Sequence, residues 1–272
     1  MNLLRISDLD SEDVYKVFNL VDAPPPHLTG TVGWSFEGNG IRTRTTFIQA
    51  FRELGLNFTE LPNLLKTSER ASDLAGYLDP FYVLYVIRES NHARLAEFAS
   101  ASCRPVINAM SQEGHPCEVL TDAYYIHTQL QPLKNAKICL WGPPTNVFRS
   151  WHELADRLGI SLTHVCAARF HETARTGIFT EHTPTFADIV ITDTSSAHRN
   201  ETTEALNRTH LASMGNPKLL PTPPFSIGNE LAFDPLGYLG FCGYRQKTML
   251  LAVQKALILY LVQNSKSYSP LA

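Results

Sequence analysis

Thr31-Val32-Gly33-Trp34-Ser35-Phe36-Glu37-Gly38-Asn39-Gly40-Ile41-Arg42-Thr43-Arg44-Thr45-Thr46-Phe47 is the stretch on which the reading of this chain turns. An apolar, β-forming run ends at Phe36, a glycine-rich turn follows, and a helix-period pattern begins with Arg42 and Thr43 at its mouth. The same alternation continues outward. Apolar runs at 57–61, 82–87, 105–109, 137–141, 161–166 and 189–192 predict further strands. Helical patterns fall between them at 45–54, 69–77, 93–100, 116–130 and 147–158. Strands alternating with helices predict an α/β fold of parallel sheets flanked by helices.

At 272 residues the chain exceeds an ordinary single domain, so two domains are expected. The Gln131–Asn135 segment, after a long helix and before a fresh strand, marks the boundary. Residues 1–132 are assigned to the first domain, with a C-terminal helix from Arg245 to Asn264 placing 245–272 back on it, and 133–244 to the second. Ser11, with Glu12 and Asp13 behind it, reads as the cap of a first helix that ends at Pro24-Pro25-Pro26. The polar segment 194–207 reads as a loop or lid.

Composition narrows the function classes. Formal net charge is -3, which gives no basic footprint for nucleic acid. An anionic ligand would have to be held by a few local arginines. The five cysteines are odd in number and show no C-x-x-C spacing, which argues against a disulfide framework and a cysteine zinc site. No metal or cofactor is expected. The opening residues lack a signal-peptide core, and the apolar stretch 249–262 is interrupted by Gln254 and Lys255, so no membrane span is expected. A soluble cytoplasmic protein is the plain reading.

Three features carry chemistry. The Gly38–Arg44 turn offers free amides at a helix N-terminus, a natural phosphate seat, with Thr43 adding a hydroxyl and Arg42 a charge-assisted bond. Arg88 directly follows an apolar strand, at the rim where ligands of open parallel sheets sit. His115 precedes Pro116, a residue suited to a first helical position, so the histidine falls at a helix cap. A histidine there can donate to a carbonyl oxygen as negative charge develops on it. Taken singly, each has a plain alternative: arginines on a solvated face, a surface ion pair, a structural histidine.

Together, Gly40-Ile41-Arg42-Thr43-Arg44, then Arg88, then His115-Pro116-Cys117-Glu118 resemble the carbamoyltransferases of the aspartate/ornithine family in order and spacing. Leu3-Leu4-Arg5-Ile6-Ser7-Asp8-Leu9 and Phe36-Glu37 are similar to the ornithine branch. The resemblance implies a first domain that binds carbamoyl phosphate and a second that binds a small amine. It implies that Asn39, Gly40, Ile41, Arg42 and Thr43 hold the phosphate, and that Arg88 bridges phosphate and carbamoyl oxygen. His115 would polarise the carbonyl, Glu118 accept from the carbamoyl NH2, and Arg245 lie close to the carbamoyl group. Asn146 and Asp193 fall on the amino-acid-binding positions, and Thr222 and Pro223 on the pair that faces the incoming amine. The family implies a homotrimer in which Lys66 reaches into a neighbouring subunit's site; an ordinary exposed lysine is the equal alternative.

Departures from the pattern matter as much. Gly40 and Ile41 replace two hydroxyl residues, a loss of about 1.5–3 kcal/mol for each bond to a charged group. Glu118 stands where the family has glutamine. Thr194-Ser195-Ser196-Ala197-His198 replaces an S-M-G, and the later Ser213-Met214-Gly215 reads as coincidence. Pro221-Thr222-Pro223-Pro224 replaces H-C-L-P, with a cis bond expected at Pro223–Pro224. These changes point to an acceptor other than ornithine. An ornithine enzyme proper and a catalytically silent binding protein are the alternatives. A dinucleotide-binding oxidoreductase is disfavoured because Gly142-Pro143-Pro144-Thr145-Asn146 is not G-x-G-x-x-G.

Overall fold

The computed structural model describes residues 1–172, 177–194 and 204–265. The strands are β1 (Thr31–Phe36), β2 (Asn57–Glu60), β3 (Leu84–Arg88), β4 (Val106–Met110), β5 (Lys137–Trp141), β6 (Ser161–Val165), β7 (Ile178–Thr180), β8 (Ile189–Thr192) and β9 (Lys218–Pro221). The α-helices are α1 (Ser11–Asp22), α2 (Ile41–Glu53), α3 (Ala71–Leu78), α4 (His92–Ala101), α5 (Pro116–Tyr125), α6 (Asn146–Leu158), α7 (Arg208–Ser213), α8 (Gly243–Thr248) and α9 (Leu250–Gln263). The chain divides into two compact units, Met1–Thr121 with the chain from Met249 onward, and Asp122–Thr248. The expected boundary at Pro132 falls inside the second unit.

The first unit holds a parallel sheet in the order β2-β1-β3-β4. Five of the six residues of β1 are buried, as a strand covered on both faces requires. Trp34 of β1 stacks on Phe36 and meets the edge of Phe51, with Phe47 beside it, so β1 and α2 share one aromatic core. A second cluster sets Tyr85, Ile87 and Val106 of the sheet against Ala71, Leu74, Leu95 and Phe98. Each such buried side chain contributes roughly 1.5–3 kcal/mol of transfer free energy. Helix α9 is apolar nearly all round and correspondingly buried. Its Tyr260 hydroxyl donates to Asp13 of α1, and Lys255 pairs with Glu53 of α2.

The second unit holds a parallel sheet in the order β7-β6-β5-β8-β9. Helix α6 buries Val147, Phe148, Trp151 and Leu154 and ends at Gly159, whose φ of 65° is the left-handed conformation of a helix C-terminus. Cys139, Trp141, Val190, Leu211, Met214 and Leu219 form a core cluster.

Several expectations are corrected. Asp10, not Ser11, caps α1: its carboxylate accepts from Asp13 N, and Asp13 accepts from Asp10 N. Helix α2 begins at Ile41 rather than Thr45, because Gly40 adopts the left-handed conformation that lets the turn close early. The expected helix 116–130 is α5 followed by a π-helical turn, Ile126–Leu130. The expected helix from Arg245 to Asn264 breaks at Met249 into α8 and α9. Strands β7 and β9 were not expected; β7 has only three residues, and Pro221 ends β9, a position a strand tolerates. Within the proposed lid 194–207, residues 195–203, including Ser195, Ser196, Ala197 and His198, lie outside the described residues. Ser213 ends α7, and Met214 is fully buried behind it. No helix among the described residues is long and apolar enough to cross a membrane.

Candidate active site

Each sheet has a topological switch point. In the first, the chain goes from β1 outward to β2 on one side, while β3 and β4 lie on the other. In the second, the switch lies between β5 and β8. Loops leaving the carboxyl ends of strands at such a point diverge and leave a crevice for ligands. The two crevices carry the residues singled out above.

In the first unit the crevice lies between the loops after β1 and β3. Gly40 (φ 31°) is the N-cap of α2 and supplies no side-chain cap, so the first-turn amides look outward with no intrahelical partner. Arg42 and Thr43 lie in that first turn; Thr43 is buried and Arg42 exposed. Asn39 and Ile41 are exposed too, Ile41 to 71%. Arg88 ends β3 in register with Phe36, and its guanidinium carbon lies 5.4 Å from the Phe36 ring centroid. Arg44 rests on the same ring at 5.1 Å and bonds Glu60 at 2.7 Å. Burial lowers the Arg88 pKa from its ordinary value; the Glu37 carboxylate opposes the fall and the Arg42 charge adds to it. Among the described residues Arg88 takes part in no ion pair. A desolvated guanidinium beside a second cation at a helix N-terminus is chemistry suited to a multiply charged anion.

Lys66 ends the short turn Leu64–Lys66, which follows Asn63 in the left-handed conformation. Its ammonium donates to Glu89 Oε1 at 2.5 Å and lies 3.2 Å from Glu37 Oε1. The family resemblance offered Lys66 to a neighbouring subunit, with an ordinary exposed lysine as the equal alternative; within its own chain the ammonium meets Glu89 and Glu37.

The loop after β4 brings His115 and Glu118 to the same rim. The His115 carbonyl accepts from Val119 N, so it caps α5, and Pro116 opens the helix. Both side chains are buried, at 6% and 5% exposure. The turn before them is held by residues that sequence reasoning missed. Asn108 Nδ2 donates to Leu4 O and Ser111 Oγ, and His92 Nδ1 lies 2.8 Å from the same hydroxyl. An asparagine inside the apolar strand Val106–Met110 was the available signal.

In the second unit Thr145 caps α6 by accepting from Phe148 N at 3.1 Å, and Asn146 Oδ1 accepts from Val147 N. Asp193 follows β8. Burial pushes its carboxyl up to about 7, and Glu230 adds to the rise against the Thr145 hydroxyl and the Thr194 amide. Glu230, also missed, accepts from the hydroxyls of Thr192 and Thr194 and from Ser226 N. Thr222 N donates to Thr192 O, which continues the β8–β9 ladder and sets Thr222 beside Asp193. Its hydroxyl is buried without a partner among the described residues. Pro223–Pro224 is cis. Gly142, opening the loop after β5, is held by a buried histidine pair. His164 Nε2 lies 2.9 Å from Gly142 O, and His164 Nδ1 lies 3.0 Å from His152 Nε2. Burial takes His164 down to about 4, so it is neutral near pH 7. Its Nε2 must then carry the proton, and His152 Nε2 must donate to its Nδ1. Arg245 is exposed on α8, where Gln246 donates to buried Asp122. Burial raises the Asp122 carboxyl well above its ordinary range.

The residues singled out therefore gather in two sets. Gly40, Ile41, Arg42, Thr43, Arg88, His115 and Glu118 stand on the first sheet's rim, while Asn146, Asp193, Thr222 and Pro223 stand on the second's.

Residues 2–128 match the carbamoyl-P binding domain of aspartate/ornithine carbamoyltransferase. The chain is similar to the ornithine carbamoyltransferase of Caulobacter vibrioides, 31% identical over 154 residues, covering 56% of this chain and 50% of that protein. It is similar to that of Methanopyrus kandleri, 36% identical over 177 residues, covering 60% of this chain and 56% of that one. The matched stretch thus spans about half the length of these curated relatives. In structure it is similar to ornithine carbamoyltransferase from Thermus thermophilus, with TM-score 0.88, 21% identity and coverage of 96% and 98% of the two chains. The enzyme from Pyrococcus furiosus gives TM-score 0.86 at 20% identity, covering 97% of each chain. At this identity the likeness is one of fold.

Proposed function

We propose that the chain is a member of the aspartate/ornithine carbamoyltransferase family and moves the carbamoyl group of carbamoyl phosphate onto the amino group of a small amine or amino acid. The observation that carries this reading is the pairing of Arg88 with Arg42 at the uncapped start of α2. The α2 amides, Thr43 and Arg42 hold the phosphate, with Asn39 at the edge of the turn. Arg88 bridges phosphate and carbamoyl oxygen, and His115 donates to that oxygen. Glu118 accepts from the carbamoyl NH2, and Arg245 adds positive charge near it. In the second unit Asp193 and Asn146 bind the acceptor, and Thr222 and the Pro223 carbonyl face its amine.

The amine nitrogen attacks the carbonyl carbon, and the carbonyl electrons move onto oxygen. When that tetrahedral oxyanion collapses, the bond to the phosphate oxygen breaks and inorganic phosphate leaves, carrying the proton the amine gives up. Clamping and oxyanion stabilisation dominate, each donor contributing about 3 kcal/mol.

For the acceptor, Thr222 and Pro223 in place of the family's ornithine-facing pair support an amine other than ornithine. The relatives' names favour ornithine itself. Phosphate release assayed across a set of amines separates the two, and ornithine turnover at a normal rate refutes the first. The homotrimer implied by the family is checked by light scattering, and the cytoplasmic location by cell fractionation. Calorimetry with carbamoyl phosphate tests the donor reading. Wild-type protein binds, and Arg88→Ala weakens binding by about a hundredfold, since a bond to a charged group contributes about 1.5–3 kcal/mol. No binding by the wild type overturns the enzymatic reading.

A further inference from the structure

Two carboxylates stand at the rim that holds Arg42 and Arg88, and both are anchored to the backbone beside Arg88. Glu37 N donates to Arg88 O, and Glu37 Oε2 accepts from Ser90 N at 2.6 Å. Glu89, the residue after Arg88, has its side chain only 5% exposed and accepts from Asn91 N at 2.9 Å. An anion seat with two carboxylates on its frame, one of them buried, is electrostatically awkward, because they are ready counter-ions for its arginines. Lys66 answers both at once, with its ammonium on Glu89 Oε1 and Glu37 Oε1. It does so from the turn after β2, so one cation joins the loops that follow three adjacent strands, β2, β1 and β3.

We infer that Lys66 is a positioning residue for the anion seat: by holding Glu37 and Glu89 in an intrachain bridge, it keeps those carboxylates off Arg88 and leaves that guanidinium to the incoming anion. The inference rests on the anion-binding reading of this rim. An ordinary surface ion pair would carry little energy. This one differs because Glu89 is desolvated and because Glu37 already acts electrostatically on Arg88. Without the ammonium, Glu37 keeps Arg88 as a cation on which its charge already acts.

The test is isothermal titration of inorganic phosphate and of carbamoyl phosphate at low salt, with melting temperatures measured alongside. Lys66→Met should weaken both anions by about tenfold, the scale of one uncompensated charge at a partly screened separation. Glu89→Gln should do the opposite and tighten both by about threefold, because it removes one carboxylate and leaves the lysine. The double variant should return to within about threefold of wild type, and all these differences should shrink as salt rises. A bridge that merely holds the loops together would lower affinity and melting temperature together in both single variants. Unchanged phosphate affinity in Lys66→Met, or weaker binding in Glu89→Gln, overturns the inference while leaving the donor site standing. Should Lys66→Met fail to fold, the sign of the Glu89→Gln effect still decides. A wild type that binds neither anion overturns the reading of the site, and this inference with it.

Discussion

The two sheets follow one plan and end in opposite chemistry. Each is an open parallel sheet whose strand order reverses in its interior, and each puts a helix N-terminus at that reversal: α2 after β1, α6 after β5. In the first unit the helix starts at Gly40 with no side-chain cap, and the surrounding cations are Arg42 and Arg88. In the second, Thr145 caps the helix from within and the neighbouring acidic group is Asp193, with Glu230 behind it. A helix terminus attracts anions only while its amides are free. On the proposed reading, the same supersecondary unit makes a seat for a phosphate in one place and a carboxyl-lined rim for an amine in the other, and the difference lies in the residue at the cap.

The sharpest way to break that comparison is to put a side chain on the uncapped helix. A Cβ at Gly40 would lie 2.2 Å from the Phe36 ring and 3.0 Å from Arg88 Nη1, on a backbone at φ 31°. Gly40 is therefore more than a lost hydroxyl, because Phe36 and Arg88 have packed into the space a serine would need. Gly40→Ser should cost about 2–4 kcal/mol of stability from strain and overpacking, and should abolish carbamoyl phosphate binding as Arg88 is displaced. Urea unfolding and calorimetry measure the two. Full stability with tighter binding would show that the seat still accepts the family's hydroxyl.

The acidic rim has its own signature in pH. Asp193 holds its proton up to about 7 when folded, against an ordinary value of 3.8, with burial as the main cause. Its contribution to stability is fully present below 3.8 and is lost as pH rises through about 7. Glu230 and Asp122, raised by burial as well, act in the same direction. The shift sets a ceiling of about 4 kcal/mol at about 1.4 kcal/mol per unit, and residual solvent contact brings the expected effect to on the order of 1–2 kcal/mol. Asp193→Asn should therefore gain stability over wild type at pH 8 and match it far more closely near pH 4, as followed by thermal unfolding. A difference independent of pH would mean that Asp193 is already ionised by a cation the rim supplies.

Much of this was legible in the chain because charged residues stand at the ends of apolar runs. Arg88 closes β3, Asp193 follows β8, and Arg42 follows the glycine turn after β1, so the apolar runs and that turn place them at strand rims. The bounds of β1 and β5 could be read directly because turn residues frame both runs. What stayed hidden depends on proximity between distant residues. Nothing local announces that Lys66 meets Glu89, that Glu230 meets Thr192 and Thr194, or that His152 meets His164. The break at Met249 was hidden for another reason: it falls where the polar stretch 244–248 meets the apolar run, and no glycine or proline marks it.

Glu118 crosses the charge pattern, and it yields the smallest effect and the finest test. A carboxylate in the first turn of α5 is favoured by the helix dipole, by about 0.3–1 kcal/mol, yet it stands on the rim proposed for the phosphate. Its side chain is buried, so its field is poorly screened. Glu118→Gln keeps an oxygen that can accept from an NH2 group and removes the charge. Affinity for carbamoyl phosphate should rise by about three- to tenfold, with a loss of stability no larger than the dipole contribution. Calorimetry at two salt concentrations separates the cases. A gain that fades with salt assigns Glu118 a repulsive role, set against the cations of the rim. Unchanged affinity at both concentrations would mean that a cation already neutralises the carboxylate, and the first rim would then be no less positive for carrying it.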